Sequence, residues 1–459
     1  MSTSSIQQST QNKTTLMARF HKFLQVIDFA QVLRQSNAYR VRGIKLTKLV
    51  SWILLTLFQR LTLNRSATPT AFSKKTVRNF LNDRHINWQR LVSLAGRNQI
   101  AELSPFIDLR RKAALIIDDT LFKRAHSKKT ELLANVYDHA APQGQPRYVK
   151  GFRGLTIGWS DGNTFLPLNF ALMSSDKAKN RIGREPQTTD QRTLAAQRYA
   201  QAKRHMNEVA VELVAQVLKT GVKASYVLFD SWYAYPKAFK QFQELGLAAV
   251  GRLKNTSKTY FKYRGRRYSV PMLFQRFKGS KYRIHDNYLY STVVETDNED
   301  HLRLKIVFIQ NRTDKGHYIA LATSKLSLTP EAVIQLYARR WQIECGFKTL
   351  KQYLQYDQTQ TQSYDGLCGH VALTFLAYDL LAMIQRQEND PKTLGGIFYA
   401  ANQFLADIPL LQAVKQLLFA LAEHCEKTAD FFITGLCSRF INSLPNDLQE
   451  IFHSNELVS

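Results

Sequence analysis

The chain has 459 residues, 44% of them hydrophobic, and carries 63 Lys+Arg against 36 Asp+Glu, a net charge of +27. That length allows several domains around a large core, and the basic surplus exceeds what solubility needs. It points to a polyanionic partner, most simply nucleic acid, and gives no reason for a neutral sugar substrate despite the paired carboxylates discussed below.

Residues 1–13 are polar, lack the apolar core of a signal peptide, and are expected to be disordered. Residues 14–105 read as a helical, DNA-binding region. The first 100 residues hold 16 Lys+Arg against two acids, Asp28 and Asp83. Within it, "TPTAFSKKTVRNFLNDRHINWQRLVSLAGR" predicts two helices, the first capped by Ser73. A helix-turn-helix-like pair presenting Lys74, Lys75 and Arg78 to DNA is the functional reading; a solvated helical hairpin is the plainer one.

The pattern then changes. "KAALIIDDTLFKR" predicts a buried strand ending in aspartates, and "SDGN" joins two strand patterns into a hairpin. A long helix over 187–219 follows. "YVLF" predicts a strand before Asp230, then a helix ends at Gly246 and "LAAVGRLKN" forms a further strand. This order predicts a mixed α/β sheet with helices on its faces, spanning 106–254 and resuming over 326–370. Residues 255–325 read as a β-rich insertion. One helix is predicted from Thr329 to Leu354, and 371–459 is helical, with five Lys+Arg against ten acids. The apolar runs "LVSWILLTLF" and "HVALTFLAYDLLAMI" are too short for a membrane span or carry His370 and Asp379. Cys345, Cys368, Cys425 and Cys437 form no C-x-x-C pair, which argues against zinc and fits a reducing cytosol. The protein is expected to be cytoplasmic and nucleoid-associated.

Asp119 and Asp230 both follow apolar strand patterns, where a charge needs a partner. Each alone could cap a helix or open a turn. Glu344 adds a third carboxylate, on a helix. On a helical wheel Arg340, Glu344, Lys348 and Lys351 share one stripe, and Leu336, Ile343, Phe347, Leu350 and Leu354 form another roughly 90° away. The polar stripe could be simple i,i+4 salt bridging. Alternatively, the three carboxylates could hold two Mg²⁺ ions for phosphodiester displacement, with Mn²⁺ as a substitute.

The spacing in "YARRWQIECGFKTLK", with Tyr337, Arg340, Glu344 and Lys351, resembles the Y-x2-R-x3-E-x6-K signature of DDE transposases of bacterial insertion sequences, of the type numbered four. "IIDDT", "LFDSWY" and the order Asp, Asp, β-rich insertion, Glu are similar to that family across about residues 110–355. The resemblance implies a ribonuclease H-like fold with Asp119, Asp230 and Glu344 as the metal-binding triad. Asp119 is preferred to Asp118 because it directly precedes the Thr; strand alternation sends the two to opposite faces. Tyr337, Arg340 and Lys351 would contact phosphates at the cleaved end, with Lys348 beside them, and Trp232 or Trp341 would stack on a flipped base. "DSWY" departs from the family's commoner small residue two after the aspartate. The implied activity is cut-and-paste transposition: cleavage at terminal inverted repeats and strand transfer into target DNA by a homodimer. A related nuclease without strand transfer and a non-catalytic DNA-binding regulator are the alternatives.

The insertion supports a DNA partner independently. Residues 252–283 contain 11 Lys+Arg and no acid, interleaved with aromatics. Arg252, Lys254, Arg266 and Arg267 are expected to contact phosphates, while most of the rings form the insertion's own core.

Overall fold

The computed structural model describes residues 18–387 except 41, 67–68, 70, 108–111, 140, 143, 188–189, 278–287 and 311–317. All described elements belong to the unit Met1–Ala401. The expectations of disorder over 1–13 and of helices beyond 387 lie outside the described residues.

Five helices precede the sheet: α1 (18–26), α2 (Phe29–Gln35), α3 (Leu46–Phe58), α4 (Lys74–Leu81) and α5 (Trp88–Leu103). The Ser73 hydroxyl caps α4 by accepting the Thr76 N–H, and Asn87 caps α5 from the Arg90 N–H. The sheet core comprises β1 (Ala114–Lys123), β2 (Ala134–Tyr137), β3 (Tyr148–Ser160), β4 (Phe165–Met173), β5 (Tyr226–Phe229) and β6 (Ala248–Arg252). β3 runs antiparallel between β4 and β1, whereas β1, β5 and β6 are mutually parallel. This is the mixed sheet that the alternation of apolar runs and helix patterns predicts. The predicted hairpin forms at Asp161–Thr164: the Asp161 carboxylate accepts the N–H groups of Asn163 and Thr164, and Gly162 takes φ +98°.

The helices before the sheet pack on it rather than standing apart. Gln89 and Ser93 of α5 donate to the carbonyls of Phe170 and Leu168, so α5 lies along β4. The long helix read over 187–219 is two, α6 (Leu194–Ala202) and α7 (Met206–Lys219), and the helix read before Gly246 is α8 (Pro236–Glu244). The Ala202 carbonyl accepts the Ser174 N–H at 2.8 Å, which ties the end of α6 to the end of β4.

The insertion is also not a separate body. It contributes β7 (Tyr260–Tyr263), β8 (Arg266–Ser269), a helix α9 (Val270–Phe277), β9 (Tyr288–Thr296), β10 (Arg303–Gln310) and β11 (Tyr318–Thr323). Strand β11 pairs with β6, so the sheet continues in the order β5-β6-β11-β10-β9-β7-β8. Several of its rings form a core of their own, as expected: Phe274 stacks on Tyr318 with centroids 3.8 Å apart, and Tyr290 meets Phe308 at 4.7 Å.

The helix expected from Thr329 to Leu354 is broken into α10 (Pro330–Ala338) and α11 (Trp341–Gln352). Around Arg339 and Arg340 the bonds tighten to i→i−3, such as Arg340 N–H to the Tyr337 carbonyl at 3.0 Å. Arg339 is held there by the Lys112 carbonyl, just before β1. The apolar stripe Leu336, Ile343, Phe347, Leu350 and Leu354 is buried as its spacing requires. Last comes α12 (Tyr364–Gln387), a helix long and apolar enough to cross a membrane, but with that apolar window wholly buried inside the protein as core.

Candidate active site

Parallel pairing sets the geometry. Ile117 of β1 stands opposite Phe229 of β5, so the next residues, Asp118 and Asp230, leave adjacent strands side by side and on the same face. Helix α11 covers that face. Its Gly346 presses on Phe165, and Gln342 donates to the Gly162 carbonyl while accepting from Ser160, so the β3–β4 hairpin fixes where α11 starts. Further along, Gly154 has no Cβ to block the buried Tyr356 ring, which packs against this same face.

Arg340 is the centre of the arrangement. Its guanidinium donates to Asp118 Oδ2 at 3.0 Å and to Glu344 Oε1, and lies 5.6 Å from the Tyr337 ring centroid. The i,i+4 salt bridge of the plainer reading therefore exists, but it is one half of a bridge to β1. Burial and the charge of Asp119 push the Asp118 carboxyl up to about 7, with Asp230 adding to the effect and Arg340 opposing it. Asp230 is also raised, first by burial and then by Asp119, against a hydrogen bond from the Trp232 N–H and the field of Arg340.

Asp119, the expected ligand, lies on the face of β1 opposite Asp118, as strand alternation requires. It shares that face with Arg153 and Leu155, and the Arg153 guanidinium and the Tyr233 hydroxyl both bind its carboxylate. Arg340 thus joins Asp118 to Glu344, Asp230 stands beside Asp118 at the end of β5, and the charge of Asp119 acts on both strand aspartates. The parallel register, which the sequence does not state, is what sets Asp118 opposite Asp230.

The remaining expected residues divide by environment. Lys348 is exposed at the site's rim, and Lys351 is half-buried, its ammonium lowered by that burial. Arg252, Lys254 and Arg266 are exposed, whereas Arg267 is paired with Asp297 at 2.6 Å. Lys75 faces solvent, but Lys74 and Arg78 are turned to the carbonyl and side chain of Asn64. Trp232 and Trp341 are 46% and 63% exposed. Arg153, Tyr233 and Tyr356 were not singled out from sequence; their roles come from pairing between distant segments.

Among the described residues no three acidic, His or Cys side chains are placed to hold a metal ion as they stand. The donor set nonetheless fits one. Two carboxylates, Asp118 and Glu344, meet at the Arg340 guanidinium with Asp230 beside Asp118, and oxygen donors of this kind suit Mg²⁺. A family model described as DDE superfamily endonuclease matches residues 51–313, more than half of the chain. No curated protein matches the sequence.

Proposed function

The chain belongs to the DDE superfamily endonucleases, enzymes that generally use divalent metal ions, and we propose that within this family it is a cut-and-paste transposase with Asp118, Asp230 and Glu344 as its metal-binding carboxylates. The observation that carries this reading is that Arg340 bridges Asp118 and Glu344 while Asp230 stands beside Asp118 on the adjacent parallel strand. The antiparallel β4-β3-β1 and parallel β1-β5-β6 arrangement supports the ribonuclease H-like class. Bound Mg²⁺, with Mn²⁺ as a substitute, would polarise the scissile phosphate and acidify the attacking water or hydroxyl.

The chain's own residues prepare that chemistry. Asp118 gives up its proton near neutrality to become a full ligand. Arg340, now held by two carboxylates, exchanges them for a backbone phosphate, for which its forked donors are suited. Lys348, Lys351 and the exposed Arg252, Lys254 and Arg266 add phosphate contacts, with Lys75 contributing from α4. Trp232 and Trp341 offer exposed faces for a base near the cut. Water then displaces the 3′ oxygen at the end of the element, leaving a 3′-hydroxyl and a 5′-phosphate. That hydroxyl next attacks a phosphodiester of the target DNA and expels the target's own 3′ oxygen as a hydroxyl, joining the element's 3′ end to the target's 5′ phosphate. Two ends engaged at once require two such sites, hence a homodimer on DNA.

The test is cleavage of DNA carrying the element's ends by Asp118→Ala, Asp230→Ala and Glu344→Ala proteins. Each should lose Mg²⁺-dependent cleavage and keep DNA binding; normal cleavage by any of them sinks the assignment. The family's description as endonucleases favours one second reading, a nuclease without strand transfer. It would cut but never join a 3′-end to a target, and a joining assay separates the two.

A further inference from the structure

We propose that this protein carries a binding surface for unpaired DNA bases, a ladder of four exposed rings leading from the β2–β3 hairpin to the Asp230 loop. The inference rests on the DNA reading above, but not on the metal site. Tyr148 and Tyr137 face each other across the β2–β3 pair with centroids 5.5 Å apart. Tyr137 meets His139 at 4.9 Å, and His139 meets Trp232 at 6.0 Å. The ladder ends two residues beyond Asp230.

Three features separate these rings from core aromatics. Tyr148 is 61% exposed, Tyr137 37% and Trp232 46%, and His139 is exposed as well. Contiguous exposed ring surface of this kind marks a binding site more often than ordinary surface. None of the four rings belongs to the hydrophobic core cluster, whereas Phe274 and Tyr318 pack against it. Cations flank the ladder at both ends: Lys254 Nζ lies 4.6 Å over Trp232, and Arg147 Nη1 donates to the Tyr137 hydroxyl at 3.3 Å.

Rings with cations beside them fit an anionic polymer whose own flat groups are free to stack, which is single-stranded nucleic acid. Duplex DNA keeps its bases stacked inside and would use only the cations. Cleavage at an end beside Asp230 is a step that would free such a strand where the ladder ends.

The experiment measures fluorescence anisotropy of the full chain without divalent ions, on labelled oligo(dT), on an abasic oligonucleotide of equal length, and on a blunt duplex. The abasic strand keeps the phosphates and lacks the bases. Oligo(dT) should bind about tenfold tighter than the abasic strand. The double variant Tyr148→Ala, His139→Ala should close that gap while leaving abasic and duplex affinities unchanged, which a misfolded protein would not. Tyr148→Trp should keep the gap. Equal affinity of the unaltered protein for oligo(dT) and the abasic strand overturns the ladder, as does a gap that survives the double variant. Absence of binding to the duplex instead overturns the DNA reading on which it rests.

Discussion

On one face of β1, Asp118 looks toward α11, shares the Arg340 guanidinium with Glu344 and titrates near neutrality; on the other, Asp119 is enclosed by Arg153 and Tyr233. The residues are neighbours of the same type on one strand. What separates them is whether their oxygens are already committed. Asp119 has a cation and a hydroxyl of its own. Asp118 is under pressure from burial and from other carboxylates, relieved by one guanidinium that it shares. A site in that second state gains from an added cation, and the first does not.

The largest effect that tests this contrast is on cleavage. Asp118→Ala and Glu344→Ala should each lower the Mg²⁺-dependent nicking rate on the order of a thousandfold or more, whereas Asp119→Ala should stay within about tenfold per folded molecule. The reverse ranking in a plasmid nicking assay would restore Asp119 as the ligand and break the comparison. Stability should rank the other way. Asp119→Ala leaves the Arg153 guanidinium buried without its carboxylate and should cost about 3 kcal/mol in urea unfolding. Asp118→Asn should cost less than about 1 kcal/mol, because Arg340 keeps Glu344.

A third test uses acidity. The fold favours the neutral form of Asp118, so this group's stabilising contribution is complete below the usual carboxylate range and is lost as pH rises through about 7. Metal-free Asp118→Asn protein should therefore show a flatter fall in thermal stability between about pH 4 and about pH 8. Conversely, Mg²⁺ affinity measured by calorimetry should weaken by up to about tenfold per unit below about pH 7, with proton release on binding. The smallest effect concerns packing on the Asp118 face. Gly154→Ala would drive a methyl group into the Tyr356 hydroxyl and should cost about 1–3 kcal/mol. Tyr356→Phe should be near neutral, since that hydroxyl has no hydrogen-bond partner among the described residues, and should partly rescue Gly154→Ala. Chemical denaturation of the two single variants and the double variant checks both.

What was legible in the sequence was local. The Asp161–Thr164 hairpin, the Ser73 cap, the strands before Asp118 and Asp230, and the buried stripe of α11 all follow from turn chemistry and periodicity. The choice between Asp118 and Asp119 depended on which face a helix more than 200 residues away would cover. The register of β1 against β5, which sets Asp118 opposite Asp230, was likewise not readable from the two apolar runs. The break at Arg339 depends on the distant Lys112 carbonyl, and Lys74 and Arg78 were drawn to Asn64 by a loop fold that no periodicity encodes. The insertion's union with the sheet was hidden for the same reason: β6 and β11 meet across a long stretch of chain.

That union fixes a distance. From β5, which carries Asp230 at its end, to the outermost β8 there are six lateral steps through β6, β11, β10, β9 and β7. At about 4.8 Å per step this is roughly 29 Å, the length of eight or nine base pairs along a duplex. Because each step is a hydrogen-bonded strand pair rather than a flexible linker, a phosphate bound near Arg266, on the proposed reading, would lie at a set span from the carboxylates.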